Sequence, residues 1–175
     1  MADIIFIVLL ALHIGSIVGW MGGAVLFISV VAPSLRRMSP TSRAEFVIST
    51  VPAYVRFIIG TSIAGIVAGV LLFWYATMVT PSLAPTSSGM TLIQAGAVLG
   101  LLALLLAFGL VLPTSRKLVS NAKQMKSTNN PPQSSEENQI GQQMTKLQKR
   151  LSMGSGIVTV LLALALILMI IGTNI

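Results

Sequence analysis

Four long apolar runs, separated by polar connections, dominate the pattern along the chain. The runs cover residues 4–31, 57–78, 91–112 and 153–172. Each reaches the length of about 20 residues that an α-helix needs to cross the hydrocarbon core of a bilayer. Because a backbone in lipid must satisfy its own hydrogen bonds, each run is predicted to be helical. The pattern therefore predicts an all-α fold, a four-transmembrane-helix bundle of two helical hairpins in a single integral membrane domain over residues 1–175.

The connection between the third and fourth runs, residues 113–152, has helical periodicity of its own. Apolar residues recur at helical spacing on both sides of the turn-rich stretch 127–138: Leu118, Ala122 and Met125, and then Ile140, Met144, Leu147 and Leu151. We therefore expect a helical extension between helices three and four, in which both run on beyond the membrane as an antiparallel hairpin.

The other long connection, residues 32–56, contains a second helical signal. Ser42 and Glu45 have the spacing of a capping box, in which the serine caps a helix start and the glutamate reaches back to it. We expect a short amphipathic helix that lies at the membrane interface and is interrupted near Pro52.

Composition places the chain in the membrane class. Hydrophobic residues make up 54% of it and charged residues only 9%, whereas a soluble domain has about 25% charged residues. All 11 Lys and Arg residues lie in the connections 32–56 and 113–152. The positive-inside rule predicts that both connections are cytoplasmic and that both termini lie outside, in a multi-pass protein of the cell (plasma) membrane. This topology explains the net charge of +7, so the lipid bilayer is an expected partner and nucleic acid is not.

A short sequence pattern occurs twice. Pro33-Ser-Leu-Arg-Arg follows the first run, and Pro113-Thr-Ser-Arg-Lys follows the third. An internal duplication would relate the two halves by a rotation about the membrane normal. The alternative is that basic residues recur at any cytoplasmic helix end.

Glycines spaced four apart mark three of the predicted helices. They are Gly15, Gly19 and Gly23 on the first helix, Gly65 and Gly69 on the second, and Gly96 and Gly100 on the third. Small side chains at this spacing let helix backbones approach closely in lipid. We expect tight packing within the bundle, with a homodimer face as the alternative.

His13, the only histidine, lies inside the first apolar run. An ionisable residue in a membrane helix is a candidate functional residue. Its side chain could donate a hydrogen bond to a neighbouring helix, or it could bind haem iron or copper. Trp20 lies seven residues on, along the same stripe, and Gln94 could face His13 as a hydrogen-bond partner. Arg56 and Arg150 start two helices, where they could snorkel to headgroups or bind a propionate or phosphate group.

No catalytic set is recognisable in the sequence. The chain has no cysteine, and its four acidic residues all lie outside the apolar runs. A six-coordinate haem would need a methionine as its second axial ligand, for which Met21, Met78 and Met90 are candidates. We therefore expect a protein without a catalytic site of its own.

The first helix resembles that of the copper-resistance-protein-D-like (CopD-like) and HemJ-like membrane proteins. The resemblance rests on the pattern L-H-I-x-x-x-x-x-W-x-G-G around His13 and Trp20, and on Val-Ala-Pro ending at Pro33. It covers about residues 10–37 and is looser in the second helix. It implies a small helical membrane protein in which His13 binds haem b or takes part in copper handling.

Three functions remain open at this point. Small size and the lack of a catalytic set favour an accessory or structural subunit of a larger membrane complex of the respiratory or oxidase type. Such a subunit would have membrane-protein partners or form a homo-oligomer. The alternative is a haem-b or copper protein that uses His13. A transporter or channel ranks last, because the apolar runs hold few polar residues that could line a pathway.

Overall fold

The computed structural model describes residues 3–127 and 134–174, with side chains described to residue 126 and again from residue 139. This part of the chain forms four long helical rods and no strand. Rod 1 consists of α1 (Ile4–Leu26), a π-helical turn (Phe27–Val31) and α2 (Ala32–Arg37), and rod 2 consists of α3 (Pro40–Trp74) and a π-helical turn (Tyr75–Val79). Rod 3 consists of α4 (Ser87–Leu106), a π-helical turn (Ala107–Val111) and α5 (Leu112–Ser127). Rod 4 is the single helix α6 (Ser134–Asn174). A short 3₁₀ helix, Pro81–Leu83, lies between rods 2 and 3.

Each rod is long and apolar enough to cross a membrane. This confirms the predicted all-α fold of four helices and indicates a small multi-pass membrane protein. The rods are longer than the predicted segments, because each helix continues into the polar connection that follows or precedes it. We call the end of the molecule with both chain termini the terminal end, and the end with all the Lys and Arg residues the basic end.

The rods pack as two antiparallel pairs. Rod 1 lies along rod 2, and α4 of rod 3 lies along rod 4. The pairs are joined by contacts of rod 1 with rod 4, and of α3 with α5 towards the basic end. In the terminal half the closest contacts involving glycine lie mostly within each pair, whereas towards the basic end all four rods share a core.

The basic end is a packed helical bundle beyond the apolar runs. The first half of α3, α5 and the first half of α6 surround a core with part of rod 1. Its fully or nearly fully buried members are Phe27, Ala32, Leu35, Ala44, Val47, Val51, Val111, Leu118, Ala122, Met144 and Leu151. Burial of a side chain the size of Leu or Met away from water is worth about 1.5–3 kcal/mol, so this core can hold the rods together at the basic end.

The expected helical extension of rods 3 and 4 is present, and the first connection joins it. The prediction of an amphipathic helix on the membrane surface was wrong. Residues 40–56 are the start of α3, and they pack upright against α5, with Ala44, Val47 and Val51 buried. The helix also continues through Pro52, whose side chain is exposed. The greater part of the turn-rich tip predicted at 127–138 lies outside the described residues.

The cap of α3 lies three residues earlier than predicted. Ser39, not Ser42, is the N-cap, and its hydroxyl accepts from the Ser42 backbone N–H at 3.3 Å. Glu45 instead accepts from Lys126 Nζ at 3.3 Å, which ties the start of α3 to the end of α5. Both side chains are exposed, so the pair is worth about 0–1 kcal/mol.

All three π-helical turns end two residues before a proline. They precede Pro33, Pro81 and Pro113. Proline lacks an N–H, and its ring crowds the carbonyl four residues back, which in each case lies within the π-helical turn. Rods 1 and 3 share this feature at the same offset from the repeated Pro-[Ser/Thr]-x-Arg-[Arg/Lys] pattern, so the two halves are alike in local structure as well as in sequence.

Candidate functional site at His13 and Trp20

His13 lies half-buried between rods 1 and 2. Its Nδ1 lies 2.8 Å from the backbone carbonyl oxygen of Gly65. Because a carbonyl only accepts, Nδ1 carries the proton and donates it, and the lone pair of the neutral ring is on Nε2. The sequence left open an interhelical hydrogen bond or the binding of haem iron or copper, and the structure contains the interhelical hydrogen bond.

Glycine makes room for the His13 ring. A Cβ atom at Gly69 would lie 2.7 Å from His13 Cε1 and 2.9 Å from Nδ1. One turn along, a Cβ at Gly65 would lie 3.1 Å from Ile17 Cδ1. His13 and Ile17 therefore fit against two glycines that share one face of rod 2.

The same packing occurs in reverse nearer the basic end, where rod 1 supplies the glycines and rod 2 the large side chains. A Cβ at Gly19 would lie 3.1 Å from Thr61, and one at Gly23 would lie 2.7 Å from Ile58. The glycine spacing in the sequence thus marks a real seam between rods 1 and 2. Gly15 makes no such contact within the chain, because it faces outward and a Cβ there would have no neighbour within 4 Å.

Rods 3 and 4 approach even more closely. A Cβ at Gly172 would lie 2.6 Å from the Gly89 carbonyl oxygen, and a Cβ at Gly96 would lie 2.9 Å from the Ala165 carbonyl oxygen. Backbone packs directly against backbone here, so a Cβ at either glycine would require the two rods to shift. The four-residue spacing marked Gly96 but not Gly89 and Gly172, which lie near the helix ends and do not share that spacing.

Trp20 is the side chain at which all four rods meet. It is 0% exposed and belongs to a buried cluster in the half of the apolar runs nearer the basic end. The other buried members are Ile58, Ala103, Ala107, Val158 and Leu162. The indole Nε1 is buried and has no hydrogen-bond partner among the described residues.

Gln94 does not partner His13. Its side chain is exposed, and α4 packs along rod 4 rather than along rod 1. The hydrogen-bond partner of His13 is the Gly65 carbonyl oxygen, not the Gln94 side chain. Arg56 is exposed at the basic end. Arg150 is also exposed there, at the rim of a groove between rods 3 and 4.

Gln148 is a buried polar residue that sequence reasoning missed. Only 3% of it is exposed, and its Nε2 donates to the Ala32 carbonyl oxygen at 3.0 Å. The bond ties rod 4 to the start of α2. The available signal was its position between Met144 and Leu151, where a polar residue interrupts an apolar stripe of helical period.

The surroundings of His13 offer little for a haem or a metal ion. Among the described residues no three His, Cys, Asp or Glu side chains cluster at a metal-binding distance. Met21 follows His13 on the same rod by eight residues, about 12 Å along the axis, so the two cannot bind one iron together. The residues present fit a single imidazole ligand through Nε2 and supply no second one from this rod.

No protein-family model matches the chain, and no curated protein or solved structure is significantly similar to it.

Proposed function

We propose that the protein is an accessory subunit that packs through rod 1 against a larger membrane complex, of the respiratory or oxidase type expected from the sequence. The observation that carries this proposal is how little of rod 1 is covered. Only 6% of its most apolar 18-residue stretch is buried, against 22% in each of the other three rods. Rod 1 is thus the helix with the most surface free for a neighbour.

The outward face of rod 1 suits a helix rather than lipid alone. Ala11, Gly15, Val18 and Gly22 are all exposed and recur at i, i+4, i+7 and i+11, along one stripe. Added Cβ atoms at Gly15 and Gly22 would meet nothing within 4 Å. Small side chains on a membrane helix allow a second backbone to approach closely, which is where packing in lipid gains most.

The proposal includes a membrane orientation. With the basic end in the cytoplasm, as the positive-inside rule favours, the helical bundle at that end would meet cytoplasmic parts of the complex. Both termini would then lie outside.

Purification in a mild detergent tests the accessory role. We expect the full-length chain to elute with partner chains in a fixed ratio. Gly15→Leu combined with Gly22→Leu should abolish this association and leave the fold intact. The matched control is Gly60→Leu combined with Gly156→Leu, because both of these glycines also face open space. The control variant should retain the partners. A bare monomer, a complex of this chain alone, or equal loss in both double variants would refute the proposal.

A haem-b or copper site at His13 is the second candidate, as the resemblance to CopD-like and HemJ-like proteins implies. One observation favours it: the hydrogen bond from Nδ1 to a backbone carbonyl fixes the tautomer that leaves Nε2 free, as in many metal-binding histidines. An optical spectrum and metal analysis of the purified protein decide the matter. A Soret band or bound copper that is lost in His13→Leu would support this candidate, and the lack of both would end it.

A further inference from the structure

A groove of about 290 Å³ opens at the basic end between rods 3 and 4. Its apolar lining consists of Leu110, Met153, Gly154 and Ile157, and its cationic rim consists of Lys146, Lys149 and Arg150. The groove is open along one side, so a bound group can extend beyond its rim.

The groove follows from the spacing of residues on α6. Lys146, Lys149, Arg150, Met153 and Ile157 fall at i, i+3, i+4, i+7 and i+11, which places them on one face of the helix. Cations come first along this face, and apolar side chains follow. Gly154 lies beside them, and Leu110 of rod 3 packs directly onto it, so that the base of the groove is apolar.

The three rim cations have no anionic partner among the described residues. All three are exposed, and the ion pair found in that part of the chain joins Lys126 and Glu45 elsewhere. Their positive charge is therefore uncompensated within the described structure.

The position along rod 4 sets the depth of the groove in a bilayer. Residues 153–172 form the apolar run of this rod, and at 1.5 Å per residue they span about 30 Å, the thickness of the hydrocarbon core. The rim cations thus lie at the level of the headgroups, and Met153 and Ile157 lie below them in the hydrocarbon. The apolar and cationic parts of the groove match the two parts of a phospholipid in order.

We propose that the groove binds one anionic phospholipid. Its phosphate group contacts Lys149 and Arg150, with Lys146 above them, and the start of one acyl chain lies along Met153 and Ile157. Arginine suits this role because its guanidinium forms two parallel hydrogen bonds to phosphate oxygens. The uncompensated positive charge of the rim favours an anionic lipid over a zwitterionic one.

Native mass spectrometry of the full-length protein in detergent tests the proposal. The probes are phosphatidylglycerol, phosphatidylcholine with the same acyl chains, and glycerol phosphate. We expect one phosphatidylglycerol to bind at least tenfold more tightly than phosphatidylcholine. Since a basic residue near the headgroups contributes roughly a fivefold gain in affinity for anionic lipid, Lys149→Gln with Arg150→Gln should weaken binding by about 10- to 30-fold.

Two further variants separate a groove from general attraction between charges. Arg116→Gln with Lys117→Gln removes the same charge from exposed residues at the same end, outside the groove, and should change the affinity by less than about twofold. Met153→Trp fills the groove, keeps all three cations and should prevent binding. Equal affinity for both lipids, equal loss in the two double variants, unchanged binding to Met153→Trp, or binding of glycerol phosphate as tightly as the lipid would overturn the proposal.

Discussion

Trp20 lies in a buried cluster that also has members from the other three rods, so its indole ring helps to join the two rod pairs. Helices in lipid gain little from the hydrophobic effect, since lipid tails are as apolar as the side chains. Packing contacts hold them together instead, and a large buried ring supplies many of these. The buried Nε1, which has no hydrogen-bond partner among the described residues, lowers stability rather than adding to it. The contribution of Trp20 therefore comes from its volume.

Replacement of this ring should be costly. We expect Trp20→Ala to lower the free energy of unfolding by about 3 kcal/mol, because the surrounding rods cannot close the cavity. Denaturation with SDS in mixed micelles, followed by circular dichroism, measures the change. Trp74→Ala is the matched control: Trp74 is 55% exposed, so its loss should cost less than about 0.5 kcal/mol. Similar costs for both tryptophans would contradict the packing role.

The glycine beneath His13 gives a second expectation for a single residue. Gly69→Ala places a methyl group 2.7 Å from the His13 ring, and overpacking of this kind costs about 1–3 kcal/mol. Gly60→Ala on the same rod meets open space and should be neutral or stabilising by up to about 1 kcal/mol. The same SDS titration compares them. Gly69→Ala with full stability would show that the ring moves aside freely.

The sequence predicted which residues matter at this seam better than it predicted what they contact. Of the five glycines predicted on rods 1 and 2, four lie against side chains of the opposite rod, because four-residue spacing is a strong signal in lipid. The partner of His13 could not be foreseen, since every residue offers a backbone carbonyl and none is marked as the acceptor. Gln94 was predicted to be the partner of His13 only because it is a polar residue in an apolar run.

At the scale of elements, the rods are where sequence reasoning did best. Long apolar runs predict helices reliably, and the periodicity on either side of the tip predicted their extension. The break expected at Pro52 is absent because tertiary packing outweighs local preference. A proline inside a helix costs about 3 kcal/mol, and burial of neighbours such as Val47 and Val51 in the basic-end core offsets that loss.

The start of α1 is held by the only aspartate in the chain. Asp3 accepts hydrogen bonds from the backbone N–H groups of Ile5 and Phe6, and from the Tyr75 hydroxyl at 2.7 Å. The hydroxyl lowers the pKa of Asp3 below its ordinary value of 3.8 most strongly, with smaller effects from the two N–H groups. Burial acts in the opposite direction but does not reverse the shift. This contact links rod 1 to the end of rod 2.

A lowered pKa implies a definite pH dependence. The folded state binds the Asp3 proton more weakly than the unfolded state, so the contribution to stability is complete above about pH 4. It is lost as the pH falls through the lowered pKa of the folded protein. Carboxyl ¹³C labelling of aspartate gives a single signal, and its titration midpoint should lie below 3.8. In Tyr75→Phe the midpoint should move back up, and an unchanged midpoint would rule out the hydroxyl as the cause.

For the whole molecule, the uneven distribution of cations leads to a test of orientation. The chain has no cysteine, so single cysteines can be introduced at exposed residues of each end. We expect an impermeant maleimide to label Ser82→Cys, in the connection between rods 2 and 3, on intact cells. Ser120→Cys on α5 should react only after the membrane is opened. The reverse pattern would overturn the proposed placement of the basic end.

The π-helical turns also determine where the chain can change in length. Each turn accommodates one residue more than a regular α-helix would, and the faces above and below it still point to the same interior. Loss of one residue within Ala107–Val111 would restore a regular helix and leave Ala103 and Leu118 facing inward. Loss of one residue elsewhere in rod 3 would rotate everything beyond it by about 100°. Natural shortening of this protein by a single residue is therefore expected just before Pro33, Pro81 or Pro113.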